Sequence, residues 1–310
     1  MRIAVIGAGR MGRTHLRALG HARGAKAVAV VEPVSAIRDE LAGTGLPAYT
    51  NVDELIAAAD VDAAIVSAPT DLHLELVTAL AGAGLPLLCE KPCGLRPGET
   101  TEAVRTAAGA GLPLQIGYWR RFVPALVELR EKLTAGEYGE LSIISCWQWD
   151  AHPPAASFRA RSGGILLDMG VHEFDQIRWL TGQELEEVHG LAATATSDEP
   201  VPGDPESVAA IARLADGAVA TISLGRRFPH GDCCWVELMG TDGHARMPFM
   251  WGEDGTRVFH EALVAQAEAF AALVRGGPQR GATGEDAVRA IEAADRAAQS
   301  LSVAAYDQHA

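Results

Sequence analysis

Three side chains in this sequence could together move a proton and polarise an oxygen: Lys91, Asp168 and His172. Read at helical spacing, residues 162–180 stack Asp168, His172 and Asp175 on one face. Leu167, Val171, Phe174 and Ile177 supply an apolar face beside it. A carboxylate one turn before an imidazole can accept its ring N–H, fix its tautomer and stabilise the imidazolium. An ordinary solvated helix face would carry the same residues. The close apolar flanks, Gly170 within the stripe and Gly163-Gly164 ahead of it weigh against that plainer reading. Lys91 stands in Glu90-Lys91-Pro92, directly after an apolar strand, where Pro92 stiffens the turn. A lysine held there can meet a hydroxyl or carbonyl oxygen, although a surface lysine would read alike.

The elements that must position these groups begin at residue 2. A β-branched run over residues 2–6 leads into Gly7-Ala8-Gly9-Arg10-Met11-Gly12 and then a helix to about residue 19. This is the dinucleotide fingerprint in its required context of strand before and helix after. Gly7 makes the tight turn, Gly9 admits the pyrophosphate to the backbone, and Gly12 lets helix and strand pack. The helix N-terminus offers unpaired N–H groups to the phosphates. A second strand, residues 27–31, ends at Glu32, about 20 residues past the last glycine. A carboxylate there accepts from the ribose diol and repels a 2′-phosphate, which favours NAD over NADP. Arg38 lies too far along to clamp such a phosphate.

Strands and helices then alternate to residue 117, which calls for a parallel sheet with right-handed crossovers. Its functional loops lie at the carboxyl ends of strands. Two stand out: Ser67-Ala68-Pro69-Thr70-Asp71-Leu72-His73 and Glu90-Lys91-Pro92. The expected cofactor set is therefore Gly7, Gly9, Arg10, Met11, Gly12, Glu32, Ser67, Pro69, Thr70, His73, Glu90 and Lys91. For His73 a local capping contact is the simpler expectation. Beyond residue 121 come a helix over residues 124–133, an alternating strand over residues 140–149 with Trp147 and Trp149 on one face, and five further strand patterns over residues 188–250. The fold class is thus a Rossmann α/β domain, residues 1–120, followed by an α+β domain, residues 121–310, with a largely antiparallel open sheet. Residues 198–205 read as a surface loop.

Composition removes several function classes. A formal net charge of −14 with no basic block disfavours nucleic acid and anionic membrane as partners. No apolar run reaches the roughly 18 residues of a membrane span, and no leader pattern opens the chain. The 5 cysteines form no zinc-type pairing, so the expectation is reduced thiols in a cytoplasmic protein and no metal site.

The fingerprint loop, Glu32, Ser67-Ala68-Pro69-Thr70, Glu90-Lys91-Pro92 and the stretch over residues 162–182 together resemble the glucose–fructose oxidoreductase/inositol dehydrogenase/rhizopine-catabolism (Gfo/Idh/MocA) family over nearly the whole chain. Within it, Arg120-Arg121-Phe122 with Pro124, Pro153-Pro154-Ala155 and His172-Glu173-Phe174-Asp175 are most similar to inositol dehydrogenases. The resemblance implies an NAD-dependent dehydrogenase acting on a secondary hydroxyl of a polyol or sugar. It assigns Lys91, Asp168 and His172 to the chemistry, with Asp175, Asp150 and Arg120 on the substrate's other hydroxyls. It also implies a homodimer or homotetramer through the C-terminal sheet. Trp119 and Met169 depart from the inositol dehydrogenase pattern, residues 263–266 lack a tyrosine the family often places there, and residues 247–261 are short for it. These changes suggest a more apolar pocket, suited to a modified cyclitol or sugar. Two other classes share the fold: an NAD-dependent glycoside hydrolase with transient oxidation, and a non-catalytic NAD- and sugar-binding regulator.

Overall fold

Residues 1–193, 200–251 and 254–301 are described by a computed structural model. In chain order the elements are β1 (Arg2–Ile6), α1 (Arg10–Leu19), β2 (Lys26–Val31), α2 (Ser35–Leu41), β3 (Ala48–Tyr49), α3 (Val52–Ala58), β4 (Ala63–Val66), α4 (His73–Gly82), β5 (Leu87–Cys89), α5 (Pro97–Gly109) and β6 (Leu114–Ile116). There follow α6 (Pro124–Thr134), β7 (Leu141–Trp149), α7 (Ala156–Arg159), α8 (Val171–Thr181), β8 (Leu185–Ala192), β9 (Ser207–Leu214), β10 (Val219–Gly225), β11 (Cys233–Gly240), β12 (His244–Trp251), α9 (Asp254–Val274) and α10 (Gly284–Gln299). Among the described residues two compact units form: residues 1–122 with 259–288, and residues 123–258 with 289–301. The sequence reading puts one boundary between residues 120 and 121; in the structure Phe259–Val288 also packs with the first unit.

In the first unit six parallel strands run in the order β3-β2-β1-β4-β5-β6. The strands are short and apolar because both faces are covered; every residue of β4 and β5 is buried. One face carries Leu19 of α1 and Ala267, Phe270 and Ala271 of α9 against Ile3, Val5, Ile65 and Leu88. The order reverses between β1 and β4, the place where such sheets bind ligands. Register pairs Ile6 with Val66 and Val66 with Cys89, so Gly7, Ser67 and Glu90 emerge along one edge. Helix α2 and the two-residue β3 carry too little pattern to be read from sequence.

The second unit has a sheet in the order β12-β11-β7-β10-β9-β8. It is antiparallel throughout except that β7 and β10 pair in parallel. Strand β9 alternates buried and exposed residues, with Val208, Ala210, Ala212 and Leu214 inward. On the opposite face Leu191, Ile211 and Met239 are each more than half exposed. Trp147 and Trp235 face each other across β7 and β11 and stack at 4.9 Å. The expected strand over residues 188–194 begins earlier, at Leu185, and Thr194 lies outside the described residues, as do Asp198 and Glu199 of the expected surface loop. Asp204 of that loop is buried, because its carboxylate is paired with arginines. All five cysteines are buried thiols. Among the described residues no helix is long and apolar enough to cross a membrane.

Candidate active site

Glycine at positions 7 and 12 is dictated by contact. Gly7 has φ +91°, and a Cβ on it would lie 2.8 Å from the Ala68 nitrogen. A Cβ on Gly12 would lie 1.9 Å from the Gly7 carbonyl oxygen. Gly9 differs: nothing stands within 4 Å of the position its Cβ would take. It is the N-cap of α1 and makes no side-chain cap. A strand, a tight turn and an uncapped helix start thus leave an open cradle lined by backbone N–H groups, which fits a dinucleotide pyrophosphate.

Glu32 is buried at the end of β2, where one carboxylate oxygen accepts from the Ala8 N–H at 2.8 Å and the other from the Val34 N–H at 3.0 Å. The carboxylate therefore sits against the fingerprint loop, as reading of an adenosine ribose requires. Arg38 donates through Nη1 to the carbonyls of Glu32 and Pro33, each at 2.7 Å. That fastens the turn after β2 and commits Nη1 to backbone. Arg10 and Met11 open α1.

Ser67 Oγ donates to the Gly7 carbonyl at 3.0 Å, joining the loop after β4 to the fingerprint. Pro69 and Thr70 follow at the start of a 3₁₀ turn. His73, the first residue of α4, is buried, with Nδ1 2.8 Å from the Pro92 carbonyl and Nε2 2.9 Å from the Ala68 carbonyl. The ring spans the two loops. Burial pushes its pKa below the ordinary histidine value, against the pull of both carbonyls and of the Glu90 and Asp71 charges. A neutral imidazole has one N–H, so it donates fully to one carbonyl at a time. His73 governs the spacing of the Ala68 and Pro92 loops and holds them through their backbones.

Sequence reasoning missed His15. Its Nε2 lies 2.7 Å from Glu90 Oε1, with both side chains buried. Glu90 Oε2 accepts the Lys91 N–H at 3.2 Å, and a Cβ on Gly117 would fall 2.8 Å from the Glu90 carboxyl carbon. The base of Lys91 is thereby fixed by α1, β5 and the end of β6, and the Lys91–Pro92 peptide is cis. After β6, Trp119 and Arg120 form a 3₁₀ turn and are buried. Trp119 meets Phe259 edge-on at 4.8 Å, and the Arg120 guanidinium lies 5.9 Å from the Trp119 ring centre.

The second unit holds the other expected residues. Where the sequence reads one helix, residues 166–170 form a π turn and α8 starts at Val171. Gly163 and Gly164, with φ +80° and +86°, turn the chain into it. A π turn takes more residues per turn than an α turn, so the four steps from Asp168 to His172 stay close to one revolution. His172 and Asp175 are 6% and 2% exposed, and Glu173 and Gln176 are buried too. Asp168 is partly exposed, but His172 and Asp175 are out of water, so the stripe is not an ordinary solvated face. Asp168 Oδ2 meets Arg226 Nη1 at 3.1 Å. Met169, beside it, is buried. Asp150 leaves β7 alongside Arg226 at the end of β10, because Trp149 pairs with Gly225 and the Asp150 N–H donates to the Gly225 carbonyl at 2.9 Å. Arg226, Arg159 and Asp204 were not legible as site residues. Among the described residues no group of three or more His, Cys, Asp or Glu is arranged to hold a metal ion.

The structure thus brings Gly7, Ser67 and Glu90 of the expected cofactor set to one sheet edge of the first unit, and places Asp150, Asp168, Met169, His172 and Asp175 within the second. Residues 1–118 match the Gfo/Idh/MocA oxidoreductase family model with its NAD-binding Rossmann fold, and residues 126–246 match the family's C-terminal domain. The rhizopine catabolism protein MocA of Rhizobium meliloti is 46% identical over 301 residues, covering 97% of this chain and 95% of that protein. The inositol 2-dehydrogenase of Rhizobium meliloti strain 1021 is 31% identical, covering 97% of each chain. The solved structure of scyllo-inositol dehydrogenase from Lactobacillus casei, with NAD(H) and scyllo-inositol bound, superposes with a TM-score of 0.86 at 26% identity, covering 97% of this chain and 96% of that one. With an open backbone cradle before α1, a buried carboxylate after β2 and family-model matches in both halves, the chain belongs to the Gfo/Idh/MocA family of NAD-binding oxidoreductases.

Proposed function

We propose that this protein oxidises a secondary hydroxyl of a cyclitol or sugar, with Lys91, Asp168 and His172 as the chemical set. The observation that carries the reading is the burial of His172 and Asp175 on α8, one turn from an Asp168 held by an arginine. Ionisable groups kept out of water in this way suit proton transfer. NAD, when bound, supplies the hydride acceptor. Gly7, Gly9 and Gly12 admit its pyrophosphate, and Glu32 accepts from its ribose. His172 takes the hydroxyl proton at a ring nitrogen. Asp168 accepts the other ring N–H, selects the tautomer and stabilises the imidazolium. Lys91 Nζ donates to the reacting oxygen and offsets its developing negative charge. Asp175, Asp150 and Arg120 hold further hydroxyls, since a site built for hydroxyls rejects analogues lacking them.

The names of the relatives support an inositol-like ring, and the 46% relative is named for rhizopine catabolism. Trp119 and Met169, both apolar and buried, favour a modified cyclitol or sugar over free myo-inositol. Subunits pair through the exposed apolar face of the second sheet, around Leu191, Ile211 and Met239, as a homodimer or homotetramer in the cytoplasm. The test is NADH formation from myo-inositol, scyllo-inositol, O-methylated cyclitols and aldoses with NAD. Net NADH from at least one is expected. A glycoside releasing its aglycone without net NADH, or ligand binding without turnover, would overturn the reading.

A further inference from the structure

Asp168, itself partly exposed, ends a chain of charges that is buried at its centre and that the proposed chemistry does not by itself require. Arg226 has no exposed surface, and its guanidinium bridges two carboxylates: Nη1 to Asp168 Oδ2 and Nη2 to Asp204 Oδ1, each at 3.1 Å. Asp204 is gripped in turn by Arg159, whose Nε lies 2.6 Å from Oδ2 and whose Nη2 donates to the Asp204 carbonyl at 3.0 Å. Arg159 Nη1 lies 3.9 Å from Glu206, which Arg227 also holds at 2.9 Å. Arg227, Arg159 and Arg226 thus alternate with Glu206, Asp204 and Asp168 in one row. The backbone is built to match: a Cβ on Gly164, at the start of the Asp168 turn, would lie 2.9 Å from the carbonyl oxygen of Gly203. The loop bearing Asp204 is therefore pressed against the turn bearing Asp168.

Ion pairs buried as those of Arg226, Arg159 and Asp204 are make a poor source of stability, since apolar residues of the same volume commonly serve as well or better. What it does supply is geometry. A guanidinium is a rigid planar fork, so one that is fixed at Asp204 fixes the direction of the carboxylate at its other end.

We propose that Arg226, anchored by Asp204, is a positioning residue that sets the orientation of the Asp168 carboxylate toward His172. The inference rests on the proposed role of Asp168 in turnover. Arg226 has no exposed surface with which to meet a ligand, so its proposed action runs through Asp168.

The experiment is a double-mutant cycle on the full-length protein. It uses myo-inositol, or the cyclitol from the panel that the wild type turns over fastest, with saturating NAD. Arg226→Met should lower kcat by about tenfold or more, with the dissociation constant for NAD unchanged, because only an oriented carboxylate selects the tautomer. In the Asp168→Asn background the same substitution should change kcat by less than about twofold, since residues acting as one unit are not additive. Arg226→Lys keeps the charge without the fork and should fall between Met and wild type. A crystal structure of Arg226→Met should show the Asp168 carboxylate rotated away from its native direction. If Arg226→Met does not fold, Asp204→Asn loosens the far end of the fork and should lower kcat several-fold, again only when Asp168 is present. An equal loss of kcat in the wild-type and Asp168→Asn backgrounds would overturn the proposal, as would an Asp168 carboxylate that stays in place. Wild-type kcat for Asp168→Asn alone would instead refute the underlying role of Asp168.

Discussion

Gly9→Ala and Gly12→Ala separate what the fingerprint loop does for the fold from what it does for the cofactor. At Gly12 the added methyl would stand 1.9 Å from the Gly7 carbonyl oxygen and 2.9 Å from its carbon, and neither belongs to a flexible side chain. Overpacking of this kind costs about 1–3 kcal/mol or more. At roughly 2–4 °C per kcal/mol for domains of 150–250 residues, Tm should fall by about 2–12 °C. At Gly9 the methyl meets nothing within 4 Å, and φ −67°, ψ −163° is open to alanine. As the N-cap of α1 it makes no side-chain bond, so Ala there should cost no more than about 1 kcal/mol and under about 4 °C. The same open space is where the pyrophosphate approaches. A methyl there should weaken NAD at least tenfold, about 1.4 kcal/mol. Calorimetric unfolding of the apo proteins gives Tm, and isothermal titration gives the NAD dissociation constant. Gly12→Ala should lose both stability and affinity, Gly9→Ala affinity alone. A stable Gly9→Ala protein that binds NAD like the wild type would refute the placement of the pyrophosphate over this loop.

Wild-type kcat/KM should favour NAD over NADP at least tenfold, about 1.4 kcal/mol. Glu32→Ala should erode that preference through weaker NAD binding without gaining NADP, because Arg38 Nη1 is committed to the Glu32 and Pro33 carbonyls; equal use of both cofactors by the wild type would remove Glu32 from its role. His73 has a folded pKa below its unfolded value of 6.5, so its contribution to stability is present above about pH 6.5 and is lost as pH falls through the lower folded value. Denaturant melts should therefore show stability falling below that pH, with a flatter dependence in His73→Gln; an equal slope in both proteins would remove the ring from the loop contact. Paired Ile211→Glu and Met239→Lys on the exposed sheet face should lower the assembly mass in light scattering while preserving the far-ultraviolet dichroism. An assembly of unchanged mass would put the subunit interface elsewhere.

The Rossmann half was legible because its signals are local. Gly7 and Gly12 are forced by backbone atoms within 3 Å, and strands covered on both faces read as short apolar runs. Glu32 and Lys91 stand out in the sequence because each closely follows a strand. What escaped was carried by pairs distant in sequence. His15 and Glu90 are 75 residues apart, and a single histidine in a basic helix gives no hint of a buried carboxylate beneath it. Arg226 reaches Asp168 across 58 residues and Asp204 across 22, and in sequence both arginine and loop aspartate read as ordinary surface charges. The π turn was hidden because widening one turn leaves the apolar pattern of residues 162–180 intact. The parallel pairing of β7 with β10 was hidden because neighbouring strand patterns suggest hairpins, whereas these partners are separated by helices and two strands. Burial adds what spacing could not: the helical stripe of Asp168, His172 and Asp175 is compatible with a wet face, whereas the structure buries His172 and Asp175 and leaves Asp168 partly exposed.

In the proposed reaction His172 removes a proton from the substrate hydroxyl. That role is tested most directly by the turnover of His172→Ala with saturating NAD and the best cyclitol of the panel, beside its NAD affinity. General acid–base groups contribute about 10²–10⁴-fold, so kcat should fall by at least 10² while the NAD dissociation constant stays within about twofold. A folded His172→Ala protein that turns over within a few-fold of the wild type would contradict the account.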